Sequence, residues 1–124
     1  MRFEFKHFAF LSPESTYAAE ATLCAADQDA FWPYHDVLWA NPGTYSKSEL
    51  KRLAGAAGLD GGAFGDCLDG GKYTQAVQDQ LAEGRSKGVT STPTIIINGN
   101  PVIGAQPFET FQGLIEQELA KAGG

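Results

Sequence analysis

The segment Thr94-Ile95-Ile96-Ile97-Asn98-Gly99-Asn100-Pro101-Val102-Ile103 constrains this chain more than any other. Consecutive β-branched residues favour a pleated strand, and Asn-Gly is the dipeptide best suited to the two positive φ angles of a two-residue hairpin turn. A β-hairpin over 94–103 is expected. Residues 2–8 are the one other strand-like stretch: Arg2, Glu4 and Lys6 alternate with Phe3, Phe5 and His7, the period of a strand with one buried face.

Between these lie five helical signals. Ser12-Pro13-Glu14 supplies a capping hydroxyl, a proline at the first helical position and an acid against the positive end of the helix dipole, predicting a helix over 13–26 with Tyr17, Ala21 and Cys24 on its apolar side. Asp29 is read as the cap of an aromatic helix over 30–40, which Asn41-Pro42-Gly43 ends. Ser46-x-x-Glu49 is a capping box that opens a helix over 47–57, with Leu50, Leu53, Ala54 and Ala57 at helical spacing and Gly58 as its stop. Asp60 caps a short helix holding Phe64, Cys67 and Leu68. A fifth helix runs over 71–86 with Tyr73, Ala76, Val77 and Leu81 inward. After the hairpin, Pro107 opens a helix over 107–121 whose Phe108, Phe111, Ile115 and Leu119 form one apolar face. The order β, five helices, hairpin, helix reads as one α/β domain over 1–124, without repeat or linker.

Several functions drop out. Fifteen acidic against nine basic side chains give a net charge of −6, and no basic stripe exists to replace the counterions of a nucleic acid. No apolar run approaches the roughly 20 residues of a membrane-spanning helix. Met1 to His7 alternate charges with aromatics, so they do not read as a secretory signal. Gly71-Lys72 lacks the earlier glycine and the following Ser or Thr of a phosphate loop, since Asp66 and Tyr73 stand there. No nucleophile elbow or dinucleotide fingerprint is present. His7 and His35 have no ligand partners at metal spacing, so they read as ordinary histidines, and neither a metal nor a cofactor is expected.

Two features keep two readings each. Cys24 and Cys67, 43 residues apart, both fall late in their helices, where the dipole raises a thiol pKa. They are buried structural cysteines or one structural disulfide, against a reactive redox pair. Gly88-Val89-Thr90-Ser91-Thr92-Pro93-Thr94 places a proline at the entrance of an apolar strand, where it forfeits a ladder hydrogen bond. Pro93 is either a plain loop proline or a cis-proline that leaves the Thr92 backbone free to pair with an extended peptide.

Ser12-Pro13-Glu14-Ser15, Cys24-Ala25-Ala26-Asp27-Gln28, Phe31-Trp32-Pro33-Tyr34-His35-Asp36, Gly58-Leu59-Asp60, Phe64 with Cys67-Leu68, Gly88-Val89, Thr92-Pro93-Thr94 and Asn98-Gly99 together resemble the DsbA-like thiol-disulfide oxidoreductases, over nearly the whole chain. The resemblance implies a thioredoxin-like fold with a helical insertion at 13–86, a strand at 2–8, the hairpin at 94–103 and the C-terminal helix at 107–121. It makes Pro93 a cis-proline and Thr92 and Pro93 the substrate-binding pair, and it implies an extracytoplasmic, periplasmic-type location. In that family a further strand and a helix opening with Cys-x-x-Cys precede the counterpart of residue 2. These 124 residues contain no Cys-x-x-Cys, so no catalytic residue is assigned. Ala9 and Ser91 also depart from the proline and glycine usual there.

On this reading the chain is an N-terminally truncated thioredoxin-like domain that lacks the central first strand. It holds a cysteine-containing peptide or protein substrate and is inactive without the dithiol. The strands at 2–8 and 94–98 then lose their shared neighbour, and unpaired apolar edges invite a homo-oligomer, a dimer through the open sheet. The alternative is a non-catalytic peptide-binding or oligomerisation module of the same fold. A third reading is a glutathione-dependent relative.

Overall fold

In the computed structural model, which describes residues 1–123, helix α1 (Pro13–Ala26) begins where the Ser12 side chain accepts the Ser15 N–H at 3.4 Å. The cap and the proline in the first turn satisfy the end of the helix as the sequence requires. Helix α2 (Phe31–Ala40) starts differently from expectation. Ala30 is its N-cap, with no side-chain hydrogen bond, and Asp29 sits at φ 55. An aspartate tolerates that left-handed conformation, so it serves the turn out of α1 and not the cap of α2. Helix α3 (Lys47–Ala56) has the Ser46 hydroxyl accepting from Glu49 N–H at 3.2 Å, and α4 (Gly61–Asp69) has Asp60 Oδ1 accepting from Ala63 N–H at 3.0 Å. Helix α5 (Thr74–Ser86) begins three residues later than the apolar spacing suggests, because Gly71 takes φ 64 and turns the chain first.

The chain forms two units, residues 1–83 and the residues from 84 on. In the first, α1 packs against α2, α3 and α4. Ala21 and Ala25 are wholly buried and bring these helices close around Tyr34, Leu50, Leu53, Phe64 and Leu68, each 1% exposed or less. The Tyr34 and Phe64 rings lie 5.3 Å apart, and the buried Tyr34 hydroxyl donates to the Leu50 carbonyl at 2.9 Å. Burial raises the Tyr34 pKa, and that bond keeps the desolvated hydroxyl satisfied. Cys24 and Cys67 form a disulfide that joins α1 to α4 with their Cα atoms 5.8 Å apart.

Residues 1–10 are not a strand. The expected alternation does sort the side chains, since Phe3 and Phe5 both lie against Trp32, and Phe5 and His7 against Phe31. A strand also needs a ladder, and among the described residues no second strand runs beside this segment. The His7 N–H goes instead to Gln80 Oε1 at 2.7 Å.

In the second unit β1 (Thr94–Ile97) and β2 (Asn100–Ile103) pair antiparallel, Thr94 opposite Ile103 and Ile97 opposite Asn100. Asn98 at φ 47 and Gly99 at φ 85 make the two-residue turn that Asn-Gly prescribes. Helix α6 (Phe108–Gly123) is tied to that turn by Asn98 Nδ2 donating to Glu118 at 3.2 Å. Its apolar face is not a core. No described residue of α6 is buried, and Phe108 and Leu119 are exposed.

Candidate functional site

The approach to Thr92 is set by the end of α5. Gly88, at φ 81, lets its own N–H reach the Arg85 carbonyl and the Val89 N–H the Gly84 carbonyl, both at 3.0 Å, which stops the helix. The chain then runs through Thr90 and Ser91 to a cis Thr92–Pro93 bond. On the far side, Pro93 is fixed: its carbonyl accepts the Gly104 N–H at 2.8 Å, and Thr94 Oγ1 donates to the Ser91 carbonyl at 2.7 Å. Thr92 and Pro93 are exposed. Among the described residues neither backbone polar group of Thr92 has a hydrogen-bond partner. The sheet has two strands, so the second edge of β1 is likewise unpaired among the described residues, and Ile95 and Ile96 along it are 37% and 41% exposed. A hollow of about 60 Å³ beside the loop is walled by Val89, Thr90, Thr94, Pro101 and Ile103. Free backbone donors and acceptors next to an open strand edge can hydrogen-bond an extended peptide.

The cysteines lie in the other unit. Cys24 is buried and Cys67 half-buried, and the Asp27 carboxylate lies 3.9 Å from Cys67 Sγ. Lys72 Nζ donates to Asp27 at 2.7 Å and the Tyr73 hydroxyl donates to it as well. These two bonds, Lys72 first, hold the Asp27 carboxyl below the usual range.

Both histidines have side-chain hydrogen-bond partners. Thr22 Oγ1 gives its proton to the Ala19 carbonyl at 2.7 Å, so it accepts from His7 Nε2 at 2.8 Å, and the neutral His7 ring carries its proton on Nε2. Burial first, and the nearby His35 second, lower the His7 pKa to about 4. His35 is the opposite tautomer. Its Nε2 accepts from Trp39 Nε1 at 2.8 Å, leaving Nδ1 to donate to Asp36 at 3.0 Å. Phe5 and Phe31 lie against both imidazoles, and Trp32 against that of His35. The alternation that put His7 on the aromatic side of residues 2–8 was the signal for this burial.

A family model described as thioredoxin matches residues 1–117. Among curated proteins, the chain is similar to the Na(+)/H(+) antiporter NhaA of Herminiimonas arsenicoxydans, 29% identical over 104 residues that cover 84% of this chain and 17% of that protein. It is similar also to the Na(+)/H(+) antiporter NhaA 3 of Salinispora tropica, 27% identical over 124 residues, 98% of this chain and 19% of that one. The chain thus spans less than a fifth of the length of these relatives. A solved structure of a thioredoxin-like oxidoreductase from Silicibacter pomeroyi DSS-3 shares the fold with a TM-score of 0.80 at 22% identity, over 90% of this chain and 64% of that one.

Proposed function

The chain belongs to the thioredoxin family, whose model covers residues 1–117, and on that premise we propose that it is the substrate-binding and helical portion of a thiol-disulfide oxidoreductase. In this reading Thr92 and Pro93 hold an extended, cysteine-containing peptide. The observation that carries it is the exposed and unpartnered backbone of Thr92 at the start of the open edge of β1. The peptide lies along that edge, its backbone paired with Thr92, and a small side chain enters the hollow beside Val89. Thiol–disulfide exchange in a complete site needs a thiolate next to the held peptide. These 124 residues contain no Cys-x-x-Cys, so their part is the holding. The antiport for which the relatives are named is not proposed for this chain, which spans less than a fifth of their length; no described helix here is long and apolar enough to cross a membrane.

Titration with an extended peptide carrying serine in place of cysteine tests the holding without any exchange. Amide shifts at Thr92, Thr94 and Ile95 are expected as peptide is added. Shifts confined to residues 1–83, or none, would sink the proposal.

The exposed isoleucines on the free edge of β1 also favour a second reading, a homodimer formed through that edge. Light scattering should then show a mass that doubles with concentration and reverts when Ile96→Lys places a charge on the edge. A monomer at every concentration removes this reading and leaves the peptide edge free.

A further inference from the structure

The Cys24–Cys67 disulfide borders an open cavity of about 430 Å³, which Asp27, Asp66, Gln28 and Lys72 also line. The two sulfurs are not equivalent. Cys24 is 1% exposed and sits within the helical core, whereas Cys67 is half-buried. A nucleophile in the cavity therefore meets Cys67 first. The charges around it are equally uneven. Asp27 and Asp66 bring two carboxylates and Lys72 one ammonium, and Lys72 is already spent on Asp27. An arriving ion meets a cavity with one excess negative charge.

We propose that Cys67 is a thiol–disulfide exchange site for low-mass thiols, and that the cavity admits cationic or neutral thiols in preference to anionic ones. The proposal does not rest on the peptide-holding role of Thr92, which belongs to the other unit. The step balances without any further reagent. The thiolate sulfur of the small molecule bonds to Cys67 Sγ, the Cys24–Cys67 bond breaks, and the electron pair leaves on Cys24 Sγ, which takes a proton from water. A second thiolate attacks the adduct, giving the oxidised small-molecule disulfide and the Cys67 thiolate. Two thiols have been oxidised and one protein disulfide reduced.

The experiment uses the whole chain, folded, at low salt, with cysteamine as the cationic probe and 3-mercaptopropionate as the anionic one. Each rate of thiol release is divided by the rate of the same reagent on hydroxyethyl disulfide, which removes intrinsic reactivity. Unit charges about 4–8 Å apart near a protein surface interact strongly enough to separate the two normalised rates by about threefold or more. Cysteamine is expected to be the faster, at a rate linear in its concentration, with the first adduct mapped to Cys67 by peptide mass spectrometry. Asp66→Asn, at an exposed position, should bring the ratio towards one while the far-UV spectrum is unchanged. The proposal is overturned by equal normalised rates, by a first adduct on Cys24, or by reduction that ignores thiol concentration and so waits on unfolding. A null peptide titration at Thr92 would leave all of these readouts as they are.

Discussion

Residues 1–83 and the residues from 84 on solve the folding problem differently. The first unit buries Tyr34, Phe64, Leu50 and Leu53 among alanines and locks α1 to α4 with a disulfide. The second holds a hairpin and a helix, has no buried hydrophobic residue among those described, and leaves Ile96, Ile103, Phe108 and Leu119 open. Charge follows the same division. The whole net charge of −6 belongs to residues 1–83, six basic against twelve acidic, while residues 84–124 carry three of each. The first unit nonetheless leaves Phe3, Leu11 and Trp39 exposed, so open apolar surface is not confined to the second. On the proposed reading, the neutrality of the second unit imposes no charge on a peptide held at its free edge.

The sharpest way to break this comparison is to make one aromatic truncation on each side. Phe64 is wholly buried, so Phe64→Ala should cost about 3–5 kcal/mol in chemical unfolding followed by helical circular dichroism. Phe108 is 72% exposed, and Phe108→Ala should cost less than about 0.5 kcal/mol. A similar loss at both positions would mean that a partner covers Phe108 in solution. Next in size is the cross-link. Closing a loop over a sequence separation of 43 residues restricts the unfolded chain, and Cys24→Ala with Cys67→Ala should cost about 3–4 kcal/mol in the same melt. The β1–β2 amides should keep their exchange protection, because the disulfide joins α1 to α4 and does not touch the hairpin.

What could be read in the sequence divides along the same line. Ser12, Ser46 and Asp60 act within three residues of themselves, so local chemistry located the starts of α1, α3 and α4. The Asn98-Gly99 turn is equally local. Asp29 was misread because a capping side chain and a left-handed turn residue draw on the same amino acids, and only the conformation decides. Residues 2–8 fail as a strand for a non-local reason, since period 2 says which side chains share a face and not whether a second strand pairs with it, while α6 forms where period 3.6 put it. In the candidate site, Thr92 and Pro93 stood out through a proline at a strand entrance. The Asp27, Lys72 and Tyr73 cluster beside Cys67 joins residues 45 and 46 positions apart, and no sequence period marks it.

Acid should act on the first unit through His7. Its pKa is about 4 when folded against 6.5 when free, so the unfolded chain takes up the proton first as the pH falls. The stabilisation is complete above about pH 7 and is lost between 6.5 and 4, for a total of about 1–3 kcal/mol. His7→Gln, which keeps a donor towards Thr22 Oγ1, should flatten that part of the pH profile. A wild-type profile without slope between pH 6.5 and 4 would mean that His7 is wetter than its contacts with Phe5 and Phe31 imply.

A change in the hairpin turn tests whether the two units unfold separately. Gly99 lies at φ 85 with open space around its Cα, so Gly99→Ala meets no clash and the change isolates backbone strain, about 1–2 kcal/mol for an L-residue held in the left-handed region. If the hairpin opens on its own, that cost should appear as faster amide exchange at Ile95, Ile97 and Val102, while the helical melt of residues 1–83 stays where it was. If the melt shifts by the same amount, hairpin and helices unfold together. The open edge of β1 would then belong to a structure as rigid as the helical core, and a peptide bound there would stabilise the whole chain.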